Sequence, residues 1–401
     1  MFDINAAEAV LKQLYIGAPK SLVYKDNPTL AMLPKGEEFF GENIKVPLKY
    51  ATANRSGNFS NAQSNISGPK YGAFLVTRKR SYALNQLDNE TLLATSNDKG
   101  AFVKAVEAVA DSVLESAALG LSANIFRSGS GSLATGTLSA GTVTLTNSQD
   151  IVNFEVGNVL VAASTDGGAL VGSGATATIA TINRSAGTFT ISPSSPSGWT
   201  GTLYIGQQGE MSDNGNTANS CIEGFQSWIV GSSVTSATFY GLDRTKDTVR
   251  LAGQVLDVSA YGMEEALQIL LKAVAREGGK PSHVLLSFDS YNALIMSLGS
   301  KVQFIDDETA EVGFRGVLVN GPNSTVKVFP DRSCPAKKAF VLQMDTWKLH
   351  AIGPAPRLLP YPDGNKYLRV ATADASEIRA GMYGNLVCDA PGWNAIGTLA
   401  E

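Results

Sequence analysis

Histidine and cysteine are almost missing from this chain of 401 residues, which has two of one and three of the other. His283 and His350 each stand alone in a strand-like run, which reads as packing rather than as acid–base or metal chemistry. Cys221, Cys334 and Cys388 lie far apart and are odd in number. That excludes a disulfide framework and zinc-type spacing, and it suits a reducing compartment. No HExxH, GxSxG or CxxC pattern is present, so zinc-hydrolase and serine-hydrolase sites lack their minimum parts. GEEFFGEN (36–43) has the glycine spacing of a phosphate loop but places Glu42 where a lysine must reach the phosphates. GSGSLATG (129–136) reads as a linker with no helix after it, not as a phosphate cradle. Together these absences argue against an enzyme and leave no cofactor expected.

Long apolar runs are missing too. The best candidate, 101–126, is broken by Lys104, Glu107, Asp111 and Glu115, so no membrane span is expected. The start, MFDINAAEAVLKQLY, carries Asp3 and Glu8 and no apolar core, so it does not read as a signal peptide. Mean hydropathy is +0.01 and apolar residues make up 44% of the chain, as in an ordinary globular protein of two or three domains.

Charge is distributed unevenly. Between residues 43 and 80 there is no acid, but there are seven bases: Lys45, Lys49, Arg55, Lys70, Arg78, Lys79 and Arg80. The whole chain carries −4, so the remainder carries −4 − 7 = −11. The basic stretch reads as a two-stranded arm. IKVPLKY alternates Ile44, Val46, Leu48 and Tyr50 with Lys45, Pro47 and Lys49. The segment AFLVTRKRSYAL (73–84) returns after a polar, flexible tip. Three readings fit the arm: a nucleic-acid hairpin, a solvated hairpin, or an intersubunit arm lying on the acidic body of a like molecule. The third is preferred because one surface of the same chain complements the other. The acidic residues Asp306, Asp307, Glu308 and Glu311 could hold a divalent cation, but they read better as a solvated loop tip without calcium-loop spacing.

A short helix is expected over 4–16. From Asn97 or Asp98 to about residue 127 runs one long helix, with Phe102, Val106, Val109 and Val113 in one apolar row and Val103, Ala110, Leu114, Ala117 and Leu121 beside it. Thirty residues would make a rod of about 45 Å. Residues 128–208 are nearly uncharged. Only Asp150, Glu155, Asp166 and Arg184 interrupt the runs TVTLT, NVLVAAS, ATATIATI, GTFTIS and GTLYIG, which predict a small all-β module set into an α/β chain. After Ser220 the pattern is α/β: helices at 262–277 and 288–299, and strands at 283–287, 315–319, 324–329, 338–343, 346–351 and 366–372.

The order of these parts resembles the major capsid proteins of tailed phages, whose Hong Kong ninety-seven-type shell fold is shared with herpesvirus capsids and bacterial encapsulins. IKVPLKY through TRKRSYAL resembles the extended loop, and DKGAFVKAVEAVADSVLESAALGLSANIF the spine helix. HVLLSFDSYNALIMSLG resembles the axial domain, and SEIRAGMYGNLVCDAPGWNAIGTL the end of the peripheral domain. The resemblance implies an α+β shell subunit divided into an N-terminal arm (1–42), extended loop and return strand (43–87), spine region (88–127), inserted β domain (128–208), axial domain (209–351) and closing peripheral part (352–401). It implies self-assembly into pentamers and hexamers of an icosahedral head, with portal, scaffold or cement proteins as partners and non-specific contact with packaged DNA. The extended loop begins near residue 43, so any scaffold is expected as a separate protein. A Lys–Asn crosslink, formed in some relatives, is not implied, because no motif places one. An encapsulin-like compartment and a β-rich surface-layer or adhesin protein are the alternatives. Charge reversal at Arg78, Lys79 and Arg80 is expected to block assembly and leave the subunit folded.

Overall fold

The computed structural model describes residues 27–53, 57–90, 105–211, 221–234, 238–299, 304–305, 316–359, 367–370 and 372–400. The expected helix at 4–16, residues 98–104 of the long helix, Arg55 and the acidic group at 306–311 lie outside them.

One long strand, Ala375–Cys388, organises the first half of the molecule. Along one edge it pairs antiparallel with Lys79–Asp88. Along the other it takes Trp347–Ala351, Arg357–Leu358 and Tyr367–Arg369 in turn. Lys35–Gly36 adds a parallel pair on Trp347–Ala351 and completes a six-stranded wall sheet. The spine helix, Ala105–Phe126, packs on this wall. Its described 22 residues span about 33 Å. Residues 121–126 are buried all round the helix: Leu121, Ile125 and Phe126 join the core under the wall, and Ala123 joins the barrel core.

The seven-stranded sheet runs in the order Gln254–Asp257, Ala395–Thr398, Lys338–Leu342, His283–Leu286, Thr325–Pro330, Gly316–Asn320, Phe304–Ile305. The helix Met263–Arg276 covers one face. Leu267, Leu270, Leu271 and Val274 recur every three or four residues and meet Val284, Val328 and Val341 of the sheet. Glu264 and Glu265 in its first turn and Arg276 in its last suit the helix dipole. The helix Phe288–Leu298 starts at Ser287, whose Oγ accepts from the Ser290 amide at 3.3 Å.

Two expectations about domain limits need correction. Trp347–Ala351, read as axial, belongs to the wall sheet. Ala395–Thr398, read as closing the peripheral part, crosses into the seven-stranded sheet, parallel to Gln254–Asp257 and antiparallel to Lys338–Leu342. The crossing turns at Pro391–Trp393 and is fixed by Asn394, which is fully buried. Its Oδ1 accepts from the Gln343 amide and from Trp347 Nε1, both at 2.9 Å. Its Nδ2 donates to the Ala390 carbonyl at 2.9 Å and to Thr346 Oγ1 at 3.3 Å.

Residues 132–207 close a six-stranded barrel from Ser132–Ser139, Thr142–Leu145, Val159–Ala163, Ala177–Asn183, Thr188–Ser192 and Thr202–Gln207. Period-two alternation sends Val143, Leu145, Ile179, Phe189, Ile191, Leu203 and Ile205 inward. The first barrel strand falls within the stretch read as a linker. That correction has a local cause: Gly129 (φ +78°) and Gly131 (φ +82°) make the corner, and the strand begins immediately after them. The four module charges are committed locally. Asp150 pairs with Arg127 at 3.1 Å and Glu155 with Arg184 at 2.7 Å, while Asp166 accepts from Ser128 and Ser130.

Candidate assembly surfaces

The arm is built from Asn43–Ala51 and Lys70–Thr77, an antiparallel pair standing apart from the other sheets. Its two faces differ. Inward, Val46, Phe74 and Val76 are buried and Ile44, Leu48 and Tyr50 half-buried. They rest on a platform made by the short helix Phe225–Trp228 and the turn at Phe239–Leu242. Phe74 meets Trp228 edge-on at 5.1 Å, and Trp228 meets Phe239 at 5.1 Å. The Leu75 amide donates to the Tyr240 carbonyl at 2.9 Å. Arg250 Nη1 donates to the Tyr50 carbonyl at 2.8 Å.

Arg244 holds the platform together. Its guanidinium lies 3.9 Å from the Phe239 ring centre and donates to the Ser227 carbonyl at 2.9 Å. Burial pulls its pKa down to about 10, opposed by the Glu223 charge, so it stays cationic at neutral pH.

Outward, the arm shows Lys45 opposite Leu75, Pro47 opposite Ala73, and Lys49 opposite Tyr71. Tyr71 is 68% exposed and Leu75 41%. Cations here interleave with apolar side chains, and among the described residues nothing covers them. At the tip, the segment read as flexible contains a short helix, Phe59–Ser64, begun by Asn58, whose side chain accepts from the Asn61 amide at 2.9 Å. Phe59 is 82% and Ile66 83% exposed. Sequence reasoning passed over these two residues, though an aromatic and an isoleucine inside a polar tip were a visible signal.

The six described bases of the arm do not all face the same way. Lys45, Lys49, Lys70 and Arg80 are exposed. Arg78 is turned inward, donating to the Phe39 carbonyl at 3.0 Å and lying 5.6 Å from that ring's centre. Lys79 sits 3.5 Å from Glu223. The expected single return strand therefore breaks at Arg78. Residues before it pair with the arm, and residues after it pair with Ala375–Cys388. Asn385, fully buried, secures the pivot: its Nδ2 donates to the Thr77 carbonyl at 2.9 Å and to Tyr240 Oη at 2.6 Å. Arg78 and Lys79 thus serve the subunit's own fold.

A groove of about 640 Å³ opens between the spine helix, the strand Lys79–Asp88 and the barrel root. Glu115, Glu155, Glu210, Asn153 and Arg332 line it. Phe288 and Met296 of the helix Phe288–Leu298 are exposed. His283 stacks on Phe329 and His350 lies in the wall; burial lowers the pKa of both. Among the described residues no group of three His, Cys, Asp or Glu side chains could hold a metal, and no helix is long and apolar enough to cross a membrane.

Similarity to solved structures runs the length of the chain. The backbone matches the capsid asymmetric unit of cyanophage A-1(L) with a TM-score of 0.60 at 11% identity, covering 100% of this chain and 99% of that one. A chain of Mycobacterium phage Ogopogo matches at 0.51 and 9% identity, covering 98% of each. The capsid of a native GTA particle matches at 0.51 and 9% identity, covering 99% of this chain and 98% of that one. No protein-family model and no curated protein matches the sequence. What is shared is the fold: this chain has the α+β shell fold of tailed-phage capsids.

Proposed function

We propose that this chain is the major capsid protein of a tailed bacteriophage and that it self-assembles into the icosahedral head enclosing double-stranded DNA. The observation that carries the reading is the full-length shell fold combined with an arm whose basic, apolar outer face is left uncovered by the described residues. Residues 1–42 would form the N-terminal arm, 43–77 the extended loop and 128–208 an inserted domain facing outward. The wall sheet with the spine helix would form the peripheral domain. The seven-stranded sheet and its helices would face the ring axis. Head-to-tail contacts around that axis close rings of five or six. Many modest contacts made together then give avidity. Partners would be further copies of the chain, a portal, a scaffold or cement protein, and packaged DNA through non-specific contacts. The place of action would be the virion, after assembly in the host cytoplasm.

The test is to express the chain alone, then with a candidate scaffold protein, and to look by negative-stain electron microscopy. Closed shells, or tubes built of five- or sixfold capsomers, are expected. A monodisperse monomer at high concentration in both preparations would refute the reading.

The arm supplies a second test. The triple variant Lys45→Glu, Lys49→Glu, Lys70→Glu reverses only exposed charges, so its folding stability should stay within about 0.5 kcal/mol of wild type. Shell yield should fall at least tenfold, because an arm turned acidic would be repelled by an acidic body. Wild-type yield from this variant would remove the arm from the assembly mechanism. Reversal at Arg78 and Lys79 would not be a clean substitute, since both side chains hold the subunit together.

A further inference from the structure

Glu210 joins the barrel to the spine helix through two different parts of itself. Its backbone is clamped by the barrel root: a Cβ on Gly131 would lie 2.4 Å from the Glu210 carbonyl oxygen. A Cβ on Gly206, at the bulge in the last barrel strand, would strike the Gly131 carbonyl and the Met211 side chain. Its carboxyl instead reaches the spine helix. Asn124 Nδ2 donates to Glu210 Oε1 at 3.4 Å, and the bare backbone of Gly120 leaves room beside that oxygen.

The other half of the Asn124 amide is unfinished. Asn124 is 4% exposed, and its Oδ1 is buried with no donor. A buried acceptor without a partner is costly. An ionised carboxylate can only accept, so it cannot supply the missing hydrogen, whereas a carboxylic acid can donate one. Protonated, the carboxyl would keep accepting from Nδ2 at one oxygen while the hydroxyl of the other donates to Oδ1, so both halves of the amide would be partnered.

We infer that Glu210 and Asn124 form a proton-operated latch between barrel and spine, closed when the Glu210 carboxyl is protonated and donates to Asn124 Oδ1, and loosened when it is ionised. Burial pushes the Glu210 pKa up to about 7, opposed only in part by the Asn124 hydrogen bond, so the latch works near neutrality. The groups around it are Glu115 on the spine helix, Tyr82 on the wall strand, Glu155 on the barrel and Arg332 beside the seven-stranded sheet. Cys221 donates to the Glu210 backbone carbonyl at 3.6 Å. Among the described residues no cation pairs with the Glu210 carboxylate.

The sign of the pH response follows from the raised value. A carboxyl with a higher pKa folded than unfolded favours the folded state while protonated. Its contribution is present at low pH and is lost as pH rises from about the unfolded 4.5 through the folded value near 7. The two histidines act in the opposite sense. Burial lowers both, so their effect on stability grows as pH rises toward their unfolded value.

The test is urea denaturation of the unassembled full chain at pH 6 and pH 8, for wild type and Glu210→Gln. Glutamine is neutral at both pH values and keeps a donor for Asn124 Oδ1. The wild-type folding equilibrium constant should drop about tenfold between the two pH values, which is what a rise from 4.5 to about 7 gives over that interval. Glu210→Gln should hold its pH 6 value at pH 8. An equal drop in the variant would overturn the latch, and so would a flat wild-type profile, which decides the matter even if the variant does not fold. Because the measurement is made on single subunits, it stands apart from whether shells form.

Discussion

Trp228→Ala should lower the folded subunit's stability by about 4 kcal/mol, within the range for emptying a fully buried aromatic site. Trp228 is 0% exposed and packs against Phe74, Phe239 and Tyr240. Its Nε1 donates to the Leu386 carbonyl at 3.2 Å, so alanine also withdraws a donor from the wall strand. The damage should be directional. Phe74 is the side chain by which the arm grips its platform, and it would lose one of its two aromatic neighbours. Urea denaturation should show the loss, and limited proteolysis should show faster cutting within 43–77 than in the barrel. Equal acceleration in both places would mean that Trp228 supports the molecule generally and not the arm in particular.

The second large effect is expected at Asn394→Leu. Leucine fills a similar volume but offers no polar atoms. It would strand the Gln343 amide and Trp347 Nε1, while the Ala390 carbonyl would keep the Trp393 amide as donor. An unsatisfied buried group costs about 1–3 kcal/mol, so a combined loss of at least about 2 kcal/mol is expected. It should appear as a lower urea midpoint with an unchanged slope. A change below about 0.5 kcal/mol would show that water or local rearrangement satisfies those groups, and that Asn394 does not fix the crossing.

Local pattern was enough for much of this architecture. In the barrel, Val143 and Leu145, Phe189 and Ile191, and Leu203 and Ile205 alternate with hydroxyl side chains, and each of those runs is a strand. The helix Met263–Arg276 could be read from its apolar stripe and terminal charges. What escaped was set by distant pairing. The run Thr77, Arg78, Lys79, Arg80 and Ser81 is uniformly polar, and nothing in it shows which strand each end of it pairs with. The change of partner depends on Asn385 and Phe39, far away in sequence. The final strand is likewise an ordinary apolar run, and only its register with Gln254–Asp257 assigns it to the second sheet. Among the arm bases, composition could count charges but could not separate Lys45, Lys49 and Lys70 from the inward-turned Arg78. Glu210 looked unremarkable because its setting comes from Asn124 and from the glycines of the barrel corner.

The route of the long strand Ala375–Cys388 and of Ala395–Thr398 also sets a timetable. Among the described residues, Lys79–Asp88 pairs only with Ala375–Cys388, and Gln254–Asp257 only with Ala395–Thr398. On a ribosome the barrel, whose pairings are all local, can close as soon as residue 207 has emerged. The wall sheet must wait for the residues after Asp374, and so must the Gln254–Asp257 edge of the seven-stranded sheet. Closing such distant contacts is slow and comes late. A chain cut short of that point therefore lacks the wall strand that fixes the arm's pivot. Under the proposed function, completion of synthesis would act as a licence for joining neighbours, and unfinished chains would be kept out of the shell.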